Sequence, residues 1–460
     1  MFQGRSVGAL VATLRFTLAA TFSLLSAAVP TTLLAAETTD RFALPPTDDG
    51  LPGAGPLRRY EAFQRVWREQ RAGWATQVAK DQGAVVFVGD SITAGWRDLA
   101  AAFPGMKVAN RGISGDTSRG VLIRLREDVL TLKPAAVVLL IGTNDIADGA
   151  TPEVIAGNVK LILAALAEWN PKMPVVLCQV MPSATEKKRS AEHVKAVNAQ
   201  YQTIALNQAA ITLLETYPLF ADAKGDARAE EFPDLLHPSE RGYAKWAAAL
   251  RPVLSTLGLF HETPALFELE PGFVSLFNGR DLTGWGYRPT SAEDIEAARK
   301  RDASNPRPPV RVYTEEPISF SGRSKSPEGR YVVVDAKLVV STPPEYRKIQ
   351  QLWTEQEFPQ NFILKLEFRA TPNTDSGVYL RGPQLQVRDY LVAGPYTSLK
   401  AYRPQDWNEL VVTVTNNVAV CVCNGEVLEA AFRLPATGPI GLEGDRGQME
   451  YRRIRIRTTP

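Results

Sequence analysis

The run Ala84-Val85-Val86-Phe87-Val88-Gly89-Asp90-Ser91-Ile92-Thr93 decides how the first half of this 460-residue chain is read. Consecutive apolar residues without polar alternation predict a strand buried on both faces, as in a parallel sheet. Gly89-Asp90-Ser91 then predicts an abrupt exit into a helix, with a hydroxyl at the turn. Alone, such a serine is an ordinary helix cap. Two later segments change its meaning. Gly142-Thr143-Asn144-Asp145 closes a predicted strand over 135–141, and Asp234-Leu235-Leu236-His237-Pro238 precedes a predicted helix over 239–257.

The residue types in these segments suit one chemistry. A serine hydroxyl is a weak nucleophile at neutral pH and needs a base, with a carboxylate to orient that base. It also needs donors for the oxyanion that forms. The chain has three histidines, His193, His237 and His261. His237-Pro238 stands at the entry to the predicted helix over 239–257. His193 and His261 read as solvated surface residues, and Asp90 and Asp145 as carboxylates that shape their own loops.

Around these segments, strand and helix patterns alternate from about residue 58 to 257. Predicted helices cover 118–132, 151–169 and 192–207, and predicted strands cover 175–179 and 211–214. Such alternation implies a parallel sheet covered on both faces, with reactive residues beyond the carboxyl ends of its strands. After residue 260 the pattern changes to short strands with turn signals, at 274–277, 331–341, 362–369, 377–380, 410–415, 418–423 and 451–457. Asn424-Gly425 between apolar runs is a strong hairpin signal. Residues 289–329 are polar and read as an exposed insertion with one short helix near 292–301.

Charge is balanced, with 52 basic and 50 acidic residues and no block of like sign, which argues against a nucleic-acid partner. Arg5 and Arg15 precede an uncharged stretch from Phe16 to Ala36, the layout of a secretory signal. An uncleaved membrane anchor is the rival reading, because the stretch approaches spanning length. With cleavage, no stable membrane span remains. Cys178 falls in an apolar run, and Cys421 and Cys423 point to one face of a strand at a separation awkward for a disulfide. No metal-ligand pattern is present and no cofactor is expected.

Four blocks, Gly89–Thr93, Asn110-Arg111-Gly112-Ile113-Ser114-Gly115-Asp116-Thr117, Gly142–Asp145 and Asp234–Pro238, occur in the order found in SGNH (GDSL-type) hydrolases. The first domain resembles that family, near its platelet-activating-factor acetylhydrolase-like and carbohydrate acetylesterase branch. The resemblance implies a flavodoxin-like α/β domain with Ser91 as nucleophile, His237 as base and Asp234 as its orienting acid. It also implies an oxyanion hole made of the Ser91 and Gly115 N–H groups and the Asn144 side-chain amide.

The second domain opens with Phe273-Val274-Ser275-Leu276-Phe277-Asn278-Gly279-Arg280-Asp281-Leu282-Thr283-Gly284-Trp285 and resembles the 3-keto-disaccharide hydrolase type, an all-β concanavalin-like sandwich. That family implies contact with sugars, with Trp285, Tyr379, Arg381, Gln384, Gln386 and Trp407 as candidate carbohydrate contacts. The chain departs from the family's pattern at Asp375-Ser376-Gly377, Gln384-Leu385-Gln386 and Gly444-Asp445-Arg446-Gly447. No histidine follows His261, so imidazole chemistry is excluded from this domain. Binding, a second active site and a purely structural sandwich all stay open. The expected organisation is a signal peptide over 1–36, a linker over 37–57, a hydrolase domain over 58–258, a linker over 259–271 and the sandwich over 272–460. The expected activity is hydrolysis of a small acyl ester, an acetylated glycan foremost. The alternatives are a lysophospholipid or platelet-activating-factor-like ester, or glycan binding or 3-keto-glycoside hydrolysis by the sandwich.

Overall fold

The computed structural model describes residues 40–459, so the expected signal peptide lies outside the described residues. Five strands, β1 (Val85–Gly89), β2 (Val108–Gly112), β3 (Ala136–Leu140), β4 (Val175–Cys178) and β5 (Ile211–Leu214), form a parallel sheet ordered β2-β1-β3-β4-β5. This flavodoxin-like order reverses direction between β1 and β3, which opens a crevice at their carboxyl ends. β1, β3 and β4 are buried along their whole length, as their unbroken apolar runs require. β2 carries Asn110 and Arg111 and alternates in burial, so no continuous apolar run announces it.

Helices Ser118–Asp128, Pro152–Trp169 and Ala191–Ala205 bury their apolar stripes on one face of the sheet, and Glu240–Thr256 covers the other. Their starts follow ordinary capping chemistry, with Thr117, Thr151, Ser190 and Ser239 each accepting from a first-turn N–H. The expected single helix over 118–132 is instead an α-helix to Asp128 and a 3₁₀ turn at Leu130–Leu132. Lys133 leaves it at φ 48°, and Pro134 bars continuation.

Residues 42–57, expected as a linker, form a strap bound to this domain. Leu44 joins a cluster with Phe63, Trp67 and Trp74. Asn158 clasps both the N–H and the carbonyl of Ala54, and Thr117 Oγ1 donates to the Pro56 carbonyl.

The second half is a sandwich of two largely antiparallel sheets around one core. One sheet runs Tyr331–Val334, Lys337–Val340, Met449–Thr459, Asn361–Ala370, Asn408–Thr415, Val418–Cys423, Glu426–Arg433. The other runs Gln384–Gln386, Gly377–Leu380, Ile440–Arg446, Arg347–Thr354, Trp285–Tyr287, Ile318–Ser319. The expected strand over 331–341 is a hairpin. Asp335 and Ala336 both take positive φ (47° and 57°), a turn that alanine does not advertise. Asn424-Gly425 makes the same kind of turn at φ 46° and 86°, where the sequence does announce it. The insertion over 289–329 holds the expected helix, Ala292–Asp302, but also two short strands that extend the second sheet. Cys178, Cys421 and Cys423 are buried and free. Among the described residues no helix is long and apolar enough to cross a membrane.

The sandwich is joined to the hydrolase domain by specific polar contacts. Gln448 Nε2 donates to the Pro252 carbonyl at 2.9 Å, and Ser255 Oγ donates to Asp335 at 3.0 Å. The segment 259–271, expected as a linker, is held by Glu262, whose carboxylate accepts from Arg369 and Lys337. Glu215, at the end of β5, accepts from Asn373 Nδ2 of the sandwich at 2.8 Å. Burial dominates its environment and pushes its carboxyl up to about 7, against an ordinary 4.5. A raised folded-state value means that its contribution is full below about pH 4.5 and is lost as pH rises through about 7. Glu215→Gln should therefore flatten the decline in melting temperature between about pH 5 and 8. Identical declines in the two proteins, measured by calorimetry, would count against this contact.

Candidate active site

Ser91 follows β1, Asn144 follows β3, and the Asp234–His237 loop precedes the last helix of the domain. The fold brings all of them to the crevice. Ser91 Oγ stands 3.0 Å from His237 Nε2, and His237 Nδ1 stands 2.8 Å from Asp234 Oδ2. This is the relay a serine nucleophile needs: a base within reach of the hydroxyl and an acid behind the base.

Local backbone geometry fixes each member. Asp90 accepts from the Ile92 N–H at 2.9 Å and caps the short helix Ser91–Ala94. The Ser91 N–H, in the first turn of that helix, has no intrahelical acceptor. Leu235 sits at φ 59°, a strained conformation for a branched residue. It lets Asp234 Oδ1 accept from the N–H groups of both Leu236 and His237. Burial alone would raise the Asp234 carboxyl, but these bonds and the ring of His237 hold it down to about 2. It is therefore ionised at neutral pH. Tyr243, in the following helix, donates to the Ile92 carbonyl at 2.8 Å and stacks on Trp96, which locks the helix to the nucleophile turn.

Gly115 and Asn144 are the other two expected oxyanion donors. Gly115 has φ 87°, and a β-carbon there would meet Arg58 Nη1 and Phe63 Cδ2 at 3.2 Å. Asn144 is buried, and its Nδ2 donates to the Asp116 carbonyl at 2.9 Å. Three buried carboxylates lie beneath. Asp145 accepts from the N–H and hydroxyl of Ser118, and Asp116 pairs with Arg124 at 2.8 Å. Asp90 keeps Oδ2 without a partner. Burial raises Asp90 to about 7 and Asp116 and Asp145 to about 6. Sequence reading missed Arg189, which donates to Thr143 and Asn144. It lies in a loop of unremarkable polar residues, and no local pattern marks it.

The other two histidines lie apart from this relay. His261 is exposed and faces Asp335 at 3.3 Å. His193 is half-buried, with its Nε2 buried and without a hydrogen-bond partner.

The six candidate sugar contacts divide. Two are corrected. Trp285 is fully buried, donating to the Leu276 carbonyl, because the core between the sheets needs its volume. Arg381 is buried and spends its guanidinium on Asn417, Pro435 and Gln360. Trp407 stays half-buried, with the guanidinium groups of Arg452 and Arg369 at 3.9 and 4.8 Å from its ring. Tyr379 and Gln384 line a cavity of about 590 Å³ with Trp353, Gln350, Gln351 and Tyr313. Gln386 donates to Gln384. Tyr379 and Gln384 both donate to Glu443, a carboxyl that burial raises to about 7. Glu443 was not among the candidate contacts, and no strand was expected over its segment, Ile440–Arg446. Among the described residues no group of three or more His, Cys, Asp or Glu is arranged to hold a metal ion.

Asp234→Asn should lower kcat by roughly 10²–10⁴-fold with little change in KM, by analogy with the serine-protease relay. Steady-state kinetics on p-nitrophenyl acetate measure this. A kcat within twofold of wild type would mean that the carboxylate plays no part.

Comparison with known proteins agrees with both halves. The GDSL-like Lipase/Acylhydrolase family model matches residues 87–245, and the 3-keto-alpha-glucoside-1,2-lyase-like domain model matches residues 272–457. Platelet-activating factor acetylhydrolase IB subunit alpha1 from Homo sapiens is 30% identical over 180 residues, spanning 38% of this chain and 76% of that protein. Subunit alpha2 from Homo sapiens is 28% identical over 205 residues, spanning 43% and 86%. The crystal structure of a GDSL-like lipase from Bacteroides thetaiotaomicron is 32% identical, with TM-score 0.36, covering 40% of this chain and 96% of that one. The chain belongs to the GDSL-like lipase and acylhydrolase family, hydrolases acting on esters, and carries a 3-keto-disaccharide hydrolase-like sandwich behind its hydrolase domain.

Proposed function

We propose that this protein is an exported esterase that removes small acyl groups, acetyl foremost, from carbohydrate. The observation that carries the reading is the Ser91–His237–Asp234 relay, with contacts of 3.0 and 2.8 Å. In this reading His237 Nε2 takes the Ser91 proton as Oγ attacks the ester carbonyl. The Ser91 and Gly115 N–H groups and the Asn144 amide receive the negative oxygen. The imidazolium, stabilised by Asp234, returns its proton to the leaving alcohol, and an acyl-enzyme remains. Water activated by His237 then releases the acid and restores the serine. The chemistry requires no metal or organic cofactor.

Acetyl is favoured by the relatives, which are named as acetylhydrolases. Carbohydrate is favoured by the sandwich and its family match. Export rests on the basic and uncharged stretches before residue 37. A platelet-activating-factor-like or lysophospholipid ester is the rival substrate. The cavity at Tyr379, Gln384 and Glu443 supports a second, glycan-binding role for the sandwich.

Ser91→Ala should lower hydrolysis of p-nitrophenyl acetate by at least about 10³-fold. A variant as active as wild type ends the proposal. Wild-type protein should also release acetate from acetylated polysaccharides faster than from a platelet-activating-factor analogue at equal ester concentration. The reverse order would transfer the substrate assignment to the lipid.

A further inference from the structure

Arg189 is buried, yet each of its four hydrogen bonds ends on a neutral oxygen. Nε donates to the carbonyl and to Oγ1 of Thr143, both at 2.9 Å. Nη2 donates to Asn144 Oδ1 at 3.1 Å, and Nη1 donates to the Lys187 carbonyl. Burial lowers its pKa, while Asp90 and Asp148 oppose that only through space. A buried cation held without a carboxylate in hydrogen-bond contact is costly, so its position calls for a reason.

The reason lies in the Asn144 amide. An amide can be turned end for end with little change in shape, which exchanges donor and acceptor. Here both ends face partners that work in one direction only. Arg189 can only donate, so Oδ1 must face it. The Asp116 carbonyl can only accept, so Nδ2 must face that side. One Nδ2 hydrogen is used on Asp116, and the other is left in a fixed direction. The same guanidinium grips both backbone and side chain of the preceding Thr143, so the loop carrying the amide is fixed as well.

We infer that Arg189 is a positioning residue of the oxyanion hole, holding the Asn144 amide in its donating orientation. Preorganised donors of this kind act on the transition state rather than on the bound ester. The effect therefore belongs in kcat. This inference rests on the proposed oxyanion role of Asn144, and its test separates the two.

The test uses the full chain with p-nitrophenyl acetate and four variants: Asn144→Ala, Arg189→Gln, Arg189→Lys and the double variant Asn144→Ala/Arg189→Gln. Asn144→Ala should lower kcat roughly 10²–10³-fold. Arg189→Gln should lower kcat about 10–100-fold with KM within about threefold, a fraction of the loss on removing the donor itself. Arg189→Lys, which keeps the charge but not the fork, should recover part of that loss. In the double variant the Arg189 change should cost nothing beyond Asn144→Ala, because its target is gone. An Arg189→Gln effect of equal size in both backgrounds, or one confined to KM, overturns the inference. So does a loss of activity that tracks a fallen melting temperature in Arg189→Lys as well as Arg189→Gln. If Asn144→Ala alone is fully active, the oxyanion reading of Asn144 fails first and takes this inference with it.

Discussion

One buried ion pair holds the catalytic edge together. Arg124 reaches back from its helix to pair with Asp116, and its Nη2 donates to the carbonyls of Gly89 and Arg111, at the ends of β1 and β2. Asp116 follows Gly115 directly, and its carbonyl accepts from Asn144. The pair therefore ties the turn before Ser91, the glycine loop and the asparagine loop to one point. Removing one partner of a fully buried pair leaves an uncompensated charge, typically at a cost of about 3–5 kcal/mol. Both side chains are fully buried, so water cannot soften that cost.

The remaining carboxylates at this edge follow the same logic. Asp145 and Asp90 serve helix starts, and burial raises both above the ordinary range. They shape loops, and in the proposed mechanism the proton transfer falls to His237. Asp234 is the opposite case, solvated and held low by the bonds that orient it. The division of labour among four acids thus comes from environment, since the side chain is the same in each.

Much of this was legible in the sequence. The long apolar runs of β1 and β3 located the crevice, and the three short blocks placed Ser91, Asn144, Asp234 and His237 around it. What escaped notice shares a physical cause. β2 and several sandwich strands are too short or too mixed in polarity to show a period. The hairpin at Asp335-Ala336 turns on residues that carry no turn signal. Arg189 acts across 45 residues of sequence, a distance no local pattern spans. Trp285 and Arg381 illustrate the converse error. Residue type suggested sugar stacking, but the sandwich core and its loop carbonyls claimed both side chains first.

The relay lies open to solvent, with the side chains of His237 and Asp234 exposed by 43% and 49%. An acyl group carried on Ser91 would stand within reach of bulk liquid. Nothing in that arrangement distinguishes the hydroxyl of water from that of a dissolved alcohol or polyol. In the proposed mechanism, transacylation would then compete with release of the free acid where such acceptors are concentrated, and the partition between the two would follow the composition of the medium.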